Sequence, residues 1–220
     1  MIPGAFPIIA GKPPATMTHT ATGTINTSST THTHSGLSFG AADGTRYLVV
    51  AIAALVTTNL STVTIGGVSA TLIARQSPSG GACTELWGAA VPTGTSGSVV
   101  FTNASSMGSS VVDVFAFLYL NSTTATATST DATSPVSTSV AVPDNGFLLS
   151  ACGINDGAAT GAASWSGGVT QVTNTIADAG AGNWARLTSA RYDATAGATI
   201  SPVLTVALAS GSTGATAAFA

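Results

Sequence analysis

The stretch from residue 61 to residue 103, STVTIGGVSATLIARQSPSGGACTELWGAAVPTGTSGSVVFTN, leaves a chain few ways to fold. Val63 and Ile65 lead into Gly66-Gly67, and Val68, Ala70, Leu72 and Ala74 carry the alternation onward. A Gly-Gly pair between two alternating runs supplies the positive φ angles of a tight hairpin. SPSGG then interrupts the chain, residues 83–91 form a third strand carrying Trp87, and residues 92–97 turn into Val99-Val100-Phe101. A unit of four such strands has one apolar face, which it must bury against a second sheet. The expectation for the chain is all-β: an antiparallel, jelly-roll-like β-sandwich over residues 16–220 as a single domain. Residues 1–15 precede it as an extended arm.

The flanking sequence repeats this grammar. A Thr-rich zone predicts strands near 17–25 and 31–39, since Thr at alternate positions suits a strand with a wet face. Residues 46–56 are an unbroken apolar run, as expected of a central strand, and residues 109–120 form a second. Leu48, Val50, Ile52, Val114, Ala116 and Leu118 are the predicted core. The low-complexity stretch 121–135 reads as a surface loop or edge strand. Residues 137–142 and 147–154 read as a hairpin across PDNG, followed by strands near 169–176, 184–192, 200–208 and 213–219. Helical periodicity is nowhere long enough to compete.

Charge narrows the function. Only 6% of the residues are Asp, Glu, Lys or Arg, against roughly 25% in an ordinary soluble domain. Thr, Ser, Ala and Gly stand where charges would normally keep copies apart, so the surface is expected to be covered by copies of the chain or by other proteins. Mean hydropathy is +0.45, yet the longest apolar run, 47–56, falls far short of the roughly 20 residues that span a bilayer. No membrane partner is expected. Lys12 is the only lysine and the four arginines are scattered, which excludes the basic face that nucleic acid requires. The opening residues lack the basic start and apolar core of a signal peptide. Cys83 and Cys152 read as buried free thiols.

Pro3, Pro7, Pro13 and Pro14 keep the arm out of helix and central strand, and Ile2, Phe6, Ile8 and Ile9 give it side chains that water does not favour. The arm is expected to dock on a neighbour or on its own domain. His32 and His34 lie two apart, on one face of a strand, where they could chelate a metal, with His19 as a third ligand if the first two strands pair. The competing reading is histidine tolerated on a wet Thr-rich face. No cofactor is expected. The eight acids are dispersed, and Asp43, Asp144, Asp156 and Asp178 sit at Gly-containing turns. Glu85 and Asp113 lie on strands beside aromatics and are expected in structural ion pairs with arginine rather than in catalysis. Trp165, in GAASWSGG, is the candidate for stacking on a sugar ring.

VTIGGVSATLI, ELWGAAVPTGTSGSVVFT and VPDNGFLLSACG together resemble β-rich structural proteins of tailed bacteriophages and prophages, over roughly residues 30–220. The resemblance implies a non-enzymatic virion protein, a capsid decoration or a tail or fibre component. It would be a homo-oligomer assembled in the host bacterial cytoplasm, with copies of itself and other virion proteins as partners. The alternative is a carbohydrate- or receptor-binding sandwich reaching a host surface glycan through Trp165.

Overall fold

In the computed structural model, the described residues are 12–155, 163–178, 180, 184–206 and 211–220. They form strands and connections, with no helix among them. The first half holds β1 (Thr16–Ile25), β2 (Ser29–Ser38), β3 (Tyr47–Leu55), β4 (Thr62–Ile65), β5 (Val68–Ser69), β6 (Thr71–Ser79), β7 (Ala82–Ala90), β8 (Ser96–Met107) and β9 (Ser110–Leu118). The second half holds β10 (Ala127–Asp131), β11 (Val136–Ser137), β12 (Val140–Val142), β13 (Phe147–Asn155), β14 (Ala163–Ser166), β15 (Thr170–Asp178), β16 (Trp184–Asp193), β17 (Ala198–Ile200), β18 (Val203–Val206) and β19 (Gly211–Phe219). Every pairing among them is antiparallel.

The sheets stack in four layers. An outer sheet β2-β8-β4-β5 covers an inner sheet β1-β9-β3-β7-β6. The far face of that inner sheet packs on a second one, β10-β19-β13-β16-β15, which the small sheets β11-β18-β14 and β12-β17 cover in turn. β3 shows why. Leu48, Val50, Ile52 and Ala54 face Ile65, Val99 and Phe101 of the outer sheet, while Val49, Ala51 and Ala53 face Leu149, Ala151 and Leu187 of the second half. A strand buried on both faces cannot alternate, so its apolar run is continuous. Leu48, Val50, Ile52, Val114 and Ala116 are buried as expected, whereas Leu118 is half-buried at the end of β9.

The halves share one winding. In the first, β1 pairs with β9, β2 with β8, β3 with β7 and β4 with β5, successive pairs lying in alternate layers. In the second, β10 pairs with β19, β11 and β12 with β18 and β17, and β13 with β16. Tyr47 lies opposite both Ala90 and Phe117, as Phe147 lies opposite both Asp193 and Phe219. Gly66-Gly67, which close the β4–β5 hairpin, have a counterpart in Gly167-Gly168, which carry the chain from β14 to β15 in the next layer, and all four glycines have positive φ. The packing is reciprocal as well. β3 meets β13 and β16, β7 meets β13 and β19, β9 meets β15 and β16, β6 meets β10 and β19, and β1 meets β15. Exchanging the halves turns that set into itself, so a pseudo-twofold axis passes between β3 and β13.

Three expectations are corrected. The four strands of residues 61–103 do not share a sheet, because the chain leaves β5 in the outer layer and enters β6 in the inner one. Residues 140–142 and 147–155 are not a hairpin: β12 pairs with β17, and PDNG carries the chain across to β13 in the next layer. β1 and β2 likewise occupy different layers and do not pair. Stretch 121–135 does contain an edge strand, β10. The arm residues Ile2, Phe6, Ile8 and Ile9 lie outside the described residues, which begin with Lys12, whose Nζ donates to Leu120 O at 3.0 Å and Asn121 Oδ1 at 2.8 Å.

Candidate functional site

The chain draws its few charges inward. Arg46, Glu85, Asp113 and Arg186 are buried, and among the described residues only Lys12, Asp144, Asp178 and Asp193 are exposed charged residues. A buried charge demands partners. Arg46, at the start of β3, finds them in carbonyls: Nε donates to Val91 O, Nη1 to Phe39, Gly40 and Ala41 O, and Nη2 to Thr93 and Gly94 O. One guanidinium thereby ties the loop after β2 to the loop after β7.

Glu85 fulfils its expectation of an arginine partner. Arg75 Nε donates to Oε1 at 3.0 Å and Nη2 to Oε2 at 3.1 Å, so the pair is bidentate. The Leu60 amide also donates to Oε1, and the Trp87 indole N–H donates to Oε2 at 2.6 Å. The Arg75 guanidinium lies 5.6 Å from the Trp87 ring centroid, close enough for a cation–π contact.

Asp113 departs from expectation, for its partners are hydroxyls rather than arginine. Thr22 Oγ1 donates to Oδ1 at 2.6 Å, Ser189 Oγ donates to Oδ2 at 2.9 Å, and Thr173 Oγ1 donates to Oδ2. His19 Nε2 is 3.4 Å from Oδ1. Thr22 is on β1 and Thr173 and Ser189 on β15 and β16, so the carboxylate pins the two inner sheets together. Its lone pairs are taken by structural donors, which suits a lock rather than an acid offered to a substrate. Thr173→Val is expected to destabilise the protein by about 1–2 kcal/mol, as loss of a donor to a buried charged acceptor should, measured by urea unfolding; an unchanged midpoint would show that Asp113 does not join the sheets.

The three histidines separate. His32 and His34 share a face of β2 and point into the first sandwich, where His32 Nδ1 and His34 Nε2 lie 2.6 and 3.0 Å from Ser110 Oγ. Both are buried, and His32 Nε2 and His34 Nδ1 have no hydrogen-bond partner. His34 stacks on Phe101, ring centroids 5.6 Å apart. Burial holds the His34 imidazole down to about 3 and lowers His32 as well. His19 faces the second half, across the inner sheet from the other two, because β1 and β2 belong to different layers. The proposed three-histidine set is therefore not brought together, and no cluster of three or more His, Cys, Asp or Glu able to hold a metal forms among the described residues. The wet-face alternative fails too, since both β2 histidines are buried.

Trp165 is in β14 rather than in a loop. It is half-buried against Val136, Cys152, Ile154 and Leu204, and its indole N–H donates to Thr188 Oγ1 at 2.8 Å. Cys83 faces the first outer layer and Cys152 the second; both are free, and burial raises both thiols.

Two of the surface clefts lined by described residues lie beside the inner-sheet edge and the start of the chain. One, of about 350 Å³, lies between the β6–β7 edge and residues 123–128, lined by Tyr47, Leu72, Ile73, Ala89 and Ala125 with threonine hydroxyls at its rim. The other, of about 510 Å³, lies where Lys12, Pro13 and Pro14 pass Tyr119, Asn145 and Phe147. Neither was legible beforehand, for each is built by segments distant in sequence. Comparison with family models, curated proteins and solved structures returned no match.

Proposed function

We propose that this chain is a structural protein of a bacteriophage particle, a capsid decoration or a tail or fibre component, that works by oligomeric assembly rather than catalysis. The observation that carries the reading is the placement of charge. A chain already poor in charge buries four charged side chains and presents hydroxyl, amide and small apolar groups to its surroundings. Such a surface has little self-repulsion and loses little solvation when another protein covers it. The strand order adds support: paired strands laid in alternate layers, as in one long hairpin rolled up, suit a jelly-roll-like reading, an architecture found in capsid and lectin domains. The resemblance of residues 30–220 to phage structural proteins points the same way. In this reading the arm, through Ile2, Phe6, Ile8 and Ile9, clamps a neighbouring subunit.

The test is the mass in solution. At tens of micromolar the chain is expected to form a discrete oligomer by light scattering. Because few charges face outward, that oligomer should persist in 1 M salt, where screening acts over only about 3 Å. A monomer at those concentrations, or an oligomer that salt dissolves, would count against the reading.

A further inference from the structure

The pseudo-twofold axis allows the two halves to be compared position by position. Gly88 lies opposite Val49 on β3, and Arg191 lies opposite Leu149 on β13, so the two are equivalent. Arg191 reaches from β16 to β1, its Nη1 donating to Met17 O at 3.1 Å. It thus occupies the space between the second inner sheet's edge and the start of β1. In the first half the hydroxyl end of Tyr47 lies over Gly88 instead. What Arg191 fills on one side is an open cleft of about 350 Å³ on the other.

The cleft has a definite chemistry. Leu72, Ile73, Tyr47 and Ala125 give it apolar walls, threonine and serine hydroxyls share the lining about equally, and no charged side chain among the described residues lines it. Beside it stand Val68 and Leu72, the large apolar side chains most open to solvent among the described residues, at 41% and 36% exposure. β6 is an edge strand, hydrogen-bonded on one side only, and such an edge can accept an extended strand.

We propose that this cleft receives residues 2–9 of a neighbouring copy of the chain, an inference that rests on the assembly reading above. Residues 1–11 carry no charged side chain, matching the uncharged cleft, and bring Ile2, Phe6, Ile8 and Ile9 to its apolar walls. They leave from Lys12, which is fastened beside Leu120 at the β1 side of the inner sheet. β1 and β6 are opposite edges of that sheet, about 19 Å apart at the usual strand spacing. Eleven extended residues span roughly 36–40 Å. A donor on one edge and an acceptor on the other build rings or filaments by head-to-tail contact, or a closed pair by reciprocal exchange of arms.

The experiment uses a fluorescent peptide of residues 1–11 and a chain lacking those residues. The peptide is expected to bind the truncated chain, and Leu72→Asp, at an exposed position that folding tolerates, should weaken binding at least tenfold. Ala125→Arg, on the opposite wall, should do the same. Full-length Leu72→Asp has an arm but no receptor, and the truncated chain has a receptor but no arm. Each alone should be monomeric, and their mixture should give one-to-one dimers that grow no further. Peptide binding unchanged by both substitutions would overturn the proposal, as would full-length Leu72→Asp assembling like the wild type. A full-length monomer that refuses the peptide at every dilution would assign the cleft to the chain's own arm, and would also overturn it. If the wild type assembles while the peptide fails to bind, the cleft assignment falls and the assembly reading survives. If the wild type never assembles, both fall.

Discussion

Replacing Glu85 with alanine is expected to lower stability by about 3–5 kcal/mol, the usual result of removing one partner from a buried ion pair. The carboxylate takes four hydrogen bonds, two from Arg75 and one each from the Leu60 amide and the Trp87 indole. Its loss strands all of these donors. Arg75 is 24% exposed and can turn partly to water, but the Trp87 and Leu60 donors are inside. For a chain of this size the change corresponds to a fall in melting temperature of roughly 6–20 °C. Glu85→Gln, which keeps an acceptor but loses the charge, should fall between. Glu85→Met combined with Arg75→Met should recover much of the loss, since a buried pair is often no better than apolar groups of like volume. A Glu85→Ala protein within about 1 kcal/mol of wild type would mean that the cluster reorganises instead of holding β6, β7 and the loop before β4 in place.

Acid is expected to loosen the fold well before carboxylates protonate. Burial holds His34 at about 3 in the folded protein and lowers His32, whereas unfolding returns both to ordinary values near 6.5. Below pH 6.5 the unfolded chain therefore binds more protons than the folded one, and stability falls with pH until folded His34 itself titrates at about 3. His34 alone accounts for about 3 kcal/mol between pH 7 and pH 4, at 1.36 kcal/mol per pH unit of depression. Asp43 and Asp131, whose hydrogen bonds hold them below the ordinary carboxylate value of 3.8, lose their contribution only at lower pH. Melting temperature measured from pH 7 to pH 4 should drop steadily for the wild type and stay nearly flat for His32→Gln/His34→Gln. Parallel slopes for the two proteins would remove the histidines as the cause.

These two sites also show what a sequence reveals and what it withholds. Glu85, beside Trp87 on an apolar strand, was recognisable as a buried acid in need of an arginine, because local alternation places a side chain on a face. The continuous run in β3 announced a central strand for the same reason. Alternation does not say which layer a strand joins. A hairpin and a crossing between layers need the same turn residues, so PDNG between β12 and β13 reads as the former and is the latter. The histidines were misassigned by the same ambiguity, since β1 and β2 look like neighbours along the chain. The hydroxyl partners of Asp113 lie on strands remote from β9 in the chain, where no pattern points to them. The shared winding has only a faint counterpart in sequence, in the pairs Tyr47-Leu48 and Phe147-Leu148, and Gly66-Gly67 and Gly167-Gly168, because one packing outline tolerates most substitutions that keep volume and face.

The reciprocal packing of the two inner sheets has a consequence for how the protein is made. Once β9 has left the ribosome the first half has all its strands, and it can close. Its second face, with Val49, Ala51, Phe115 and Phe117, is not fully covered until β19 arrives. At roughly 5–20 residues per second, the hundred or so residues between β9 and the end of β19 take roughly 5–20 s, during which a nascent chain carries a broad greasy sheet identical to those on its polysome neighbours. The pseudo-twofold surface that holds the finished molecule together is thus also the one through which two unfinished molecules would stick.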